Sequence, residues 1–299
     1  MIESIIRKHL QEFPALSEIL TKYAGEPAVF NSQFPDDQDE SWESGPQYPR
    51  LAFELDMSED PERKISGTLL LHCYFNTDSG LFPEEVDEIL KGSIDGYFFS
   101  DETDTISVKW RQTDPFYTPE SGNRIAGLTL SSDVVAFPCQ MTTDPDPIAA
   151  LNEYIRCRFP ECVIIGIDNL ENAWKPTNRT PAVYFRLVKL APGSINSTYN
   201  VTWYDPTIQA HIMCPGEHAR NAIVRTMAEE LTAKTRLILA DRSPFMYLKA
   251  TAAFGADPLK AGQVTITGTY GVLREYAAVP TMNNIKIKEN THGESDEIL

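Results

Sequence analysis

The side chains with the widest chemical reach in this sequence are five histidines (His9, His72, His211, His218, His292) and five cysteines (Cys73, Cys139, Cys157, Cys162, Cys214). His72 stands beside Cys73, and His211 stands three residues before Cys214, so a His/Cys pair recurs in each half of the chain. Imidazole and thiol at such spacings are the parts of a zinc site or of a thiol nucleophile. Each pair supplies only two ligands, whereas a structural zinc usually takes four. A histidine on a strand beside a small buried thiol is ordinary packing. Cys157 and Cys162 lie five apart across Pro160, a poor geometry for sharing an ion, and read as buried thiols. The cysteines are odd in number, irregular in spacing and without Cys-x-x-Cys, which argues against a disulfide framework and a zinc ribbon and suits a reducing compartment.

A second constellation is acidic: Asp36, Asp37, Asp39, Glu40 and Glu43. Clustered carboxylates suit a hard cation, but the glycine-turn spacing of a calcium loop is missing, so the stretch reads as an acidic loop. There is no glycine-rich phosphate loop, no G-x-S-x-G and no H-E-x-x-H. The sequence therefore predicts no catalytic residues, no metal and no cofactor. Trp42 and Trp174 each sit in a polar loop just before a proline-entered segment, and large aromatics in such settings anchor protein contacts. With Tyr48 and Arg179 they are the candidate contact residues.

The 299 residues suffice for two domains, and 42% hydrophobic with 23% charged residues is a globular composition. No apolar run is long enough to span a bilayer, and the start lacks a secretory h-region, so the Asn178, Asn196 and Asn200 triplets read as unglycosylated. The net charge is −17, and it is uneven. Residues 1–143 carry 26 acidic and 10 basic side chains, and residues 144–282 carry 13 and 14. Such a chain does not bind phosphate backbones by default.

The elements needed to position these residues recur in order. A helical stripe (Ile2, Ile5, Ile6, Leu10, Phe13) ends at Pro14, and another (Leu151, Tyr154, Ile155, Phe159) ends at Pro160. A strand then enters through proline: Leu51, Phe53, Leu55 and Met57 alternate after Pro49, and Val183, Phe185 and Leu187 after Pro181. A further strand leads to a helix, with buried stripes expected at Phe82, Val86, Ile89, Leu90 and Ile94 and at Ala219, Ala222, Ile223, Met227 and Leu231. Asp205-Pro206 signals a turn between two short strands. Two closing strands follow in each half, separated in the first by a loop of Asp, Pro, Ser and Gly. Matching elements lie 146, 132 and 136 residues apart at Phe13/Phe159, Pro49/Pro181 and Thr129/Thr265. The fold class expected is α+β: two tandem similar modules, each a mostly antiparallel sheet with helices packed on it. Their bounds are 1–143 and 144–282, followed by a loose tail at 283–299.

This order resembles the tail terminator, or tail-completion, proteins of tailed bacteriophages. The matching stretches are Tyr48-Pro49-Arg50-Leu51 through Met57, Gly67 through Phe99 and Gly127 through Pro138, echoed at Thr180 to Leu190, Val201 to Leu231 and Gln263 to Tyr276. The likeness is one of hydrophobic pattern and loop placement over most of the chain. It implies a non-enzymatic virion protein, made in the host cytoplasm, that forms a closed ring. The ring caps the tail tube, meets a neck or head-completion protein, and lets DNA pass without specific binding and without a membrane. Members are usually single modules, six to a ring, so a tandem implies three or six chains. The acidic residues, Asp36, Asp37, Asp39, Glu40 and Glu43 among them, would then repel DNA from a bore. The competing expectation is a two-module ligand-binding protein or enzyme with an interdomain cleft.

Overall fold

The computed structural model of the chain describes residues 2–42, 47–58, 66–76, 78, 80–101, 104–118, 125–138, 140 and 143–274. Glu43, Cys139, His292 and the 283–299 segment lie outside these described residues. The first helix, α1 (Ile2–Glu12), buries Ile6 and Leu10. Pro14 ends α1 as expected, but it also opens a second helix, α2 (Pro14–Ile19), that the periodicity did not reveal. A proline has no N–H to donate, and the first turn of a helix needs none there.

A small ribbon, β1 (Lys22–Tyr23) with β2 (Glu26–Pro27), precedes the first large sheet. That sheet contains β3 (Val29–Asn31), β4 (Arg50–Ser58), β5 (Ser66–Asn76), β6 (Phe98–Ser100), β7 (Thr105–Thr118) and β8 (Ile125–Phe137). Between β5 and β6 runs α3 (Pro83–Ile94), with Glu84 and Glu85 at its positive end. Leu51 and Phe53 are buried and Glu54 and Asp56 are not exchanged with them, so the alternation after Pro49 holds. On α3, Val86, Leu90 and Ile94 are buried, but Phe82 is 62% exposed. Phe82 is the residue before the helix, where the extended backbone turns its ring away from the stripe.

The second sheet contains β9 (Val163–Ile164), β11 (Ala182–Pro192), β12 (Val201–Met213), β13 (Arg236–Ile238), β14 (Pro244–Ala252) and β15 (Val264–Leu273). It is covered by α4 (Pro147–Arg158) and α5 (Glu217–Lys234). The residue Asp146 caps α4, its carboxylate accepting the Ile148 N–H at 2.8 Å. The buried face of α5 is Val224, Met227 and Leu231, and Ala222 is exposed. The expected stripe is thus rotated, because the larger Val224 takes the core in place of alanine.

The strand orders are β6-β7-β8-β5-β4-β3 in the first sheet and β13-β14-β15-β12-β11-β9 in the second. The two orders correspond strand for strand, and so do the pairing senses. β3/β4 and β9/β11 are parallel, and the other pairs are antiparallel. Both sheets curl into half-barrels. A seventh strand, β10 (Ala173–Trp174), comes from the second half and joins the first sheet at β6.

Two proline signals did not end their strands. β7 continues through Asp114-Pro115 with Pro115 opposite Leu128, where a loop was expected. β12 continues through Asp205-Pro206, where a turn was expected. The ladder from β12 to β15 breaks between Tyr204 and Thr207, so Pro206 is not asked for an N–H there. The Asp205 carboxylate instead accepts the Thr269 hydroxyl at 2.6 Å and the Ser194 N–H at 2.8 Å.

Each sheet has its own apolar core, centred on residues such as Phe53, Leu71 and Leu90 in the first and Phe185, Ile212 and Met227 in the second. A third cluster joins the halves. It brings Phe98, Val135 and Phe137 against Ala182, Tyr184 and Met213. Among the described residues, no helix is long and apolar enough to cross a membrane.

Candidate functional site

The aromatic and acidic residues singled out in the sequence fall in two places, one at the head of β4 and one where the halves meet beside the head of β11. In the first half the centre is Arg50, the opening residue of β4 and only 8% exposed. Its guanidinium lies 4.4 Å from the centre of the Phe34 ring, 4.5 Å from Tyr48 and 5.9 Å from Trp42. It donates to the Asp37 carboxylate at 2.6 Å and to the Tyr48 hydroxyl at 3.1 Å. A planar, weakly hydrated cation is suited to such stacking, where an ammonium group would lose the fork and could not lie flat on the rings.

The rest of the loop is tied to this centre. The Trp42 indole N–H donates to the Asp36 carbonyl at 3.0 Å, and its ring meets Tyr23 and Phe30 at 4.9 and 5.9 Å. Trp42 also forms a bridge with Tyr23. Asp39 accepts the Ser41 N–H at 2.9 Å and the Tyr23 hydroxyl at 3.0 Å. The Ser41 bonds first, and then that of Tyr23, hold its carboxyl below the ordinary range. Partial burial pushes the Tyr48 phenol up. Gln47 donates its side-chain amide to the Asp37 carbonyl. Phe34 continues edge-on to Tyr74 at 5.0 Å, and Tyr74 to Phe116 at 5.0 Å. Phe116 can lie across β8 because Gly127 stands opposite; a Cβ there would meet the ring at 2.1 Å. Asp36, Asp37 and Glu40 are exposed on this loop.

The second place is the junction between the halves. Trp174 pairs with Phe98 as β10 joins β6, and their rings are 5.9 Å apart. The Ser100 N–H donates to the Asn172 carbonyl at 3.0 Å. Phe137 meets Tyr184 edge-on at 5.1 Å, and the Tyr184 hydroxyl donates to the Pro138 carbonyl at 3.0 Å. Lys175 reaches the Asp95 carbonyl at 2.6 Å, and Lys260 lies 3.7 Å from the Asp133 carboxylate. Gln140, buried, donates to the Ile165 carbonyl and accepts from Asn152. Trp174 therefore anchors one half of the chain to the other. Arg179 is exposed in the turn before β11, where its N–H donates to the Thr177 hydroxyl.

The His/Cys pairs do not form ligand sets. His72 bonds through Nδ1 to the Thr129 hydroxyl while Cys73 points into the first core. His211 bonds to the Pro258 carbonyl, whereas the Cys214 thiol donates to the Asn178 side-chain oxygen. Burial pushes the thiols of Cys73 and Cys162 up to about 12, which keeps them protonated at neutral pH. Cys157, expected to be buried, is exposed on α4, because the apolar face of that helix is filled by Leu151, Tyr154 and Ile155. Among the described residues no three His, Cys, Asp or Glu side chains come together as a metal site.

The sequence missed Arg50, Phe34 and Tyr74 as members of the first place. The signal was present in the run Tyr48-Pro49-Arg50, where a basic residue sits at the buried start of a strand that alternates thereafter. No family model matches the chain, and no curated protein matches it.

Proposed function

We propose that this chain is a tandem of two related α+β modules whose work is assembly rather than turnover. Its role would be that of the tail terminators of tailed phages, a ring that caps a tail tube and joins it to the neck or head. The observation that carries this reading is the shared strand order of the two sheets, together with the way one docks on the other. The second half hands a strand to an edge of the first, so the contact is head to tail. A head-to-tail contact that repeats closes into a ring when its rotation divides a full turn, and otherwise grows a filament. The junction is also built of packed aromatics, the kind of residue that dominates binding energy at interfaces. The acidity of residues 1–143 supports a bore that passes DNA without holding it.

Size-exclusion chromatography with light scattering tests the reading on the full chain. The expected result is a discrete mass of three or six chains, visible as rings in electron micrographs and seated at the ends of tail tubes when these are added. A monomer at every concentration would overturn it.

A further inference from the structure

We propose that the outer edge of β13 is a docking site for the acidic loop of residues 36–42 on a second copy of this chain. This inference rests on the reading that the two halves are related modules, and it names the surfaces through which they would associate.

The junction inside the chain supplies the template. Its donating side is the start of β11 with the Trp174 strand, and its receiving side is the edge strand β6. Leu51 and Val183 hold matching register positions, each the first core residue beyond the strand's opening. From there Arg50 matches Ala182, Tyr74 matches Met213, Ala52 matches Tyr184 and Phe30 matches Ile165. Ala182, Met213, Tyr184 and Ile165 are the residues of the second half that sit in the junction. Their counterparts in the first half are the floor on which the 36–42 loop lies. The donating side of the first half is thus present within the chain, but among the described residues no second sheet is docked on it.

The receiving side is likewise duplicated. On β6 the backbone groups of Phe98 and Ser100 face away from β7, and there they meet β10 and the Asn172 carbonyl. On β13 the same places fall to Arg236 and Ile238. Leu239 donates inward to the Ser243 carbonyl at 2.9 Å, so its neighbour Ile238 turns its N–H and C=O outward. Among the described residues no strand covers this edge. Ile238 is 58% exposed, and Tyr247 beside the paired end of β13 is 63% exposed. An open edge with exposed apolar side chains is a template for pairing with another chain.

Charge identifies the occupant. Lys234, Arg236 and Arg242, in and around β13, are all exposed, and the nearby Asp241 is turned onto its own loop by the Ser243 N–H and hydroxyl. The loop that would dock carries Asp36, Asp37, Asp39 and Glu40. The internal junction shows one pair of this polarity, Lys260 of the second half 3.7 Å from the Asp133 carboxylate of the first, while Lys175 donates to the Asp95 backbone carbonyl. A second copy would repeat that pairing of a first-half carboxylate with a second-half cation, since the second half is close to neutral overall and its cations around β13 are local.

Two double variants of the full chain test this. Arg236→Glu with Ile238→Asp alters the receiving edge. Gln38→Lys with Glu40→Lys lowers the loop's charge from −4 to −1 without touching the bonds of Asp36, Asp37 or Asp39. The expected result is that each variant alone runs as a monomer, by at least a tenfold weakening of association. An equimolar mixture of the two then runs at the mass of two chains, because one intact edge meets one intact loop and growth stops. If the unaltered chain assembles and both variants keep its mass, the docking site is wrong while the assembly reading stands. If both variants are monomers and the mixture stays monomeric, these surfaces do not meet and the proposal fails. If the unaltered chain is itself a monomer throughout, both readings fail. Circular dichroism and thermal unfolding check that each variant is folded. Should the edge double variant not fold, Arg236→Glu alone carries the test.

Discussion

The heads of β4 and β11 solve one problem in two ways. Both strands enter the sheet through proline and bury their first residues, and both leave an apolar face beyond the sheet's own core. At β11 that face is made of Ala182, Tyr184 and Met213, and it is covered by Phe98, Val135 and Phe137 of the other half. At β4 the matching face holds Arg50, Ala52 and Tyr74, and it is covered by the chain's own residues 32–42 and 47–48, pinned through Arg50 to Phe34, Tyr48 and Asp37. A face without a charge, such as Ala182, Tyr184 and Met213, suits closure by a partner sheet. A buried cation suits a face closed by a polar loop, because it supplies the hydrogen bonds and ring contacts that order the loop. The tryptophans follow the same division: Trp174 reaches out to β6, and Trp42 folds back to Tyr23.

The largest effect should come from breaking the junction. Phe137 is fully enclosed between Phe98 and Tyr184. Phe137→Ala removes a ring from a packed cluster, at a cost of about 3–5 kcal/mol. Because that cluster is shared by the two cores, calorimetry should show one transition splitting into two. A single transition with only a lowered midpoint would mean that the halves unfold together for other reasons.

Next in size is the loop clamp. Arg50→Ala leaves the Asp37 carboxylate without its cation and removes the stacking partner of Phe34 and Tyr48. Asp37 is about half exposed, so the loss should fall below that of a fully buried pair, at about 2 kcal/mol. The loop should become sensitive to protease while the junction stays intact. Arg50→Lys should recover little of this, since an ammonium group cannot fork to Asp37 and Tyr48 while lying flat between rings.

The long elements of this division were legible and the short ones were not. The alternation after Pro49 and Pro181 and the helix at 147–158 follow from apolar period alone. Strands of two or three residues, such as β3, β6, β10 and β13, have no period to read, yet they form the edges through which the halves join. The prolines of β7 and β12 read as turns because the signal is local, whereas their tolerance depends on which ladder positions are empty. Trp42 and Trp174 stood out as candidate contacts between chains, whereas within the chain Trp42 folds back on Tyr23 and Trp174 meets Phe98. Which neighbour each would anchor depended on pairing between residues far apart in sequence. Arg50 was obscured because a charged residue at a strand's start reads as solvent-facing until the loop that covers it is known.

A titratable difference between the halves gives a further test. His9 on α1 is held at Nε2 by the Ser93 carbonyl at 2.7 Å and packs on Tyr97 at 4.5 Å. At the offset that matches Phe13 with Phe159, its counterpart is Ile155, which is buried in the second core. Burial depresses the His9 pKa below its ordinary 6.5, outweighing the Ser93 bond and the nearby Glu12. The unfolded chain therefore binds a proton that the fold excludes. The contribution is absent above pH 6.5, and stability falls as the pH drops below it, with a slope of at most about 1.4 kcal/mol per pH unit. His9→Ile should remove that part of the acid dependence, read from urea midpoints between pH 7 and 5. An unchanged slope would mean that other groups set it.

The smallest effect belongs to the second half. Glu230 on α5 accepts the Tyr154 hydroxyl at 3.1 Å and the Arg158 guanidinium at 2.7 Å, tying α5 to α4. The bond from Arg158, first, then that from Tyr154, holds the Glu230 carboxyl below its ordinary range. All of this lies near solvent, with the Arg158 side chain half exposed, where ion pairs contribute little. Glu230→Gln keeps an acceptor for Tyr154 and loses only the charge, so the cost should be about 0.5 kcal/mol and should shrink further in high salt. A loss as large as that of Arg50→Ala would erase the contrast between the halves. It would mean that the second half, like the first, depends on a charge for its shape, and not on the sheet against which it packs.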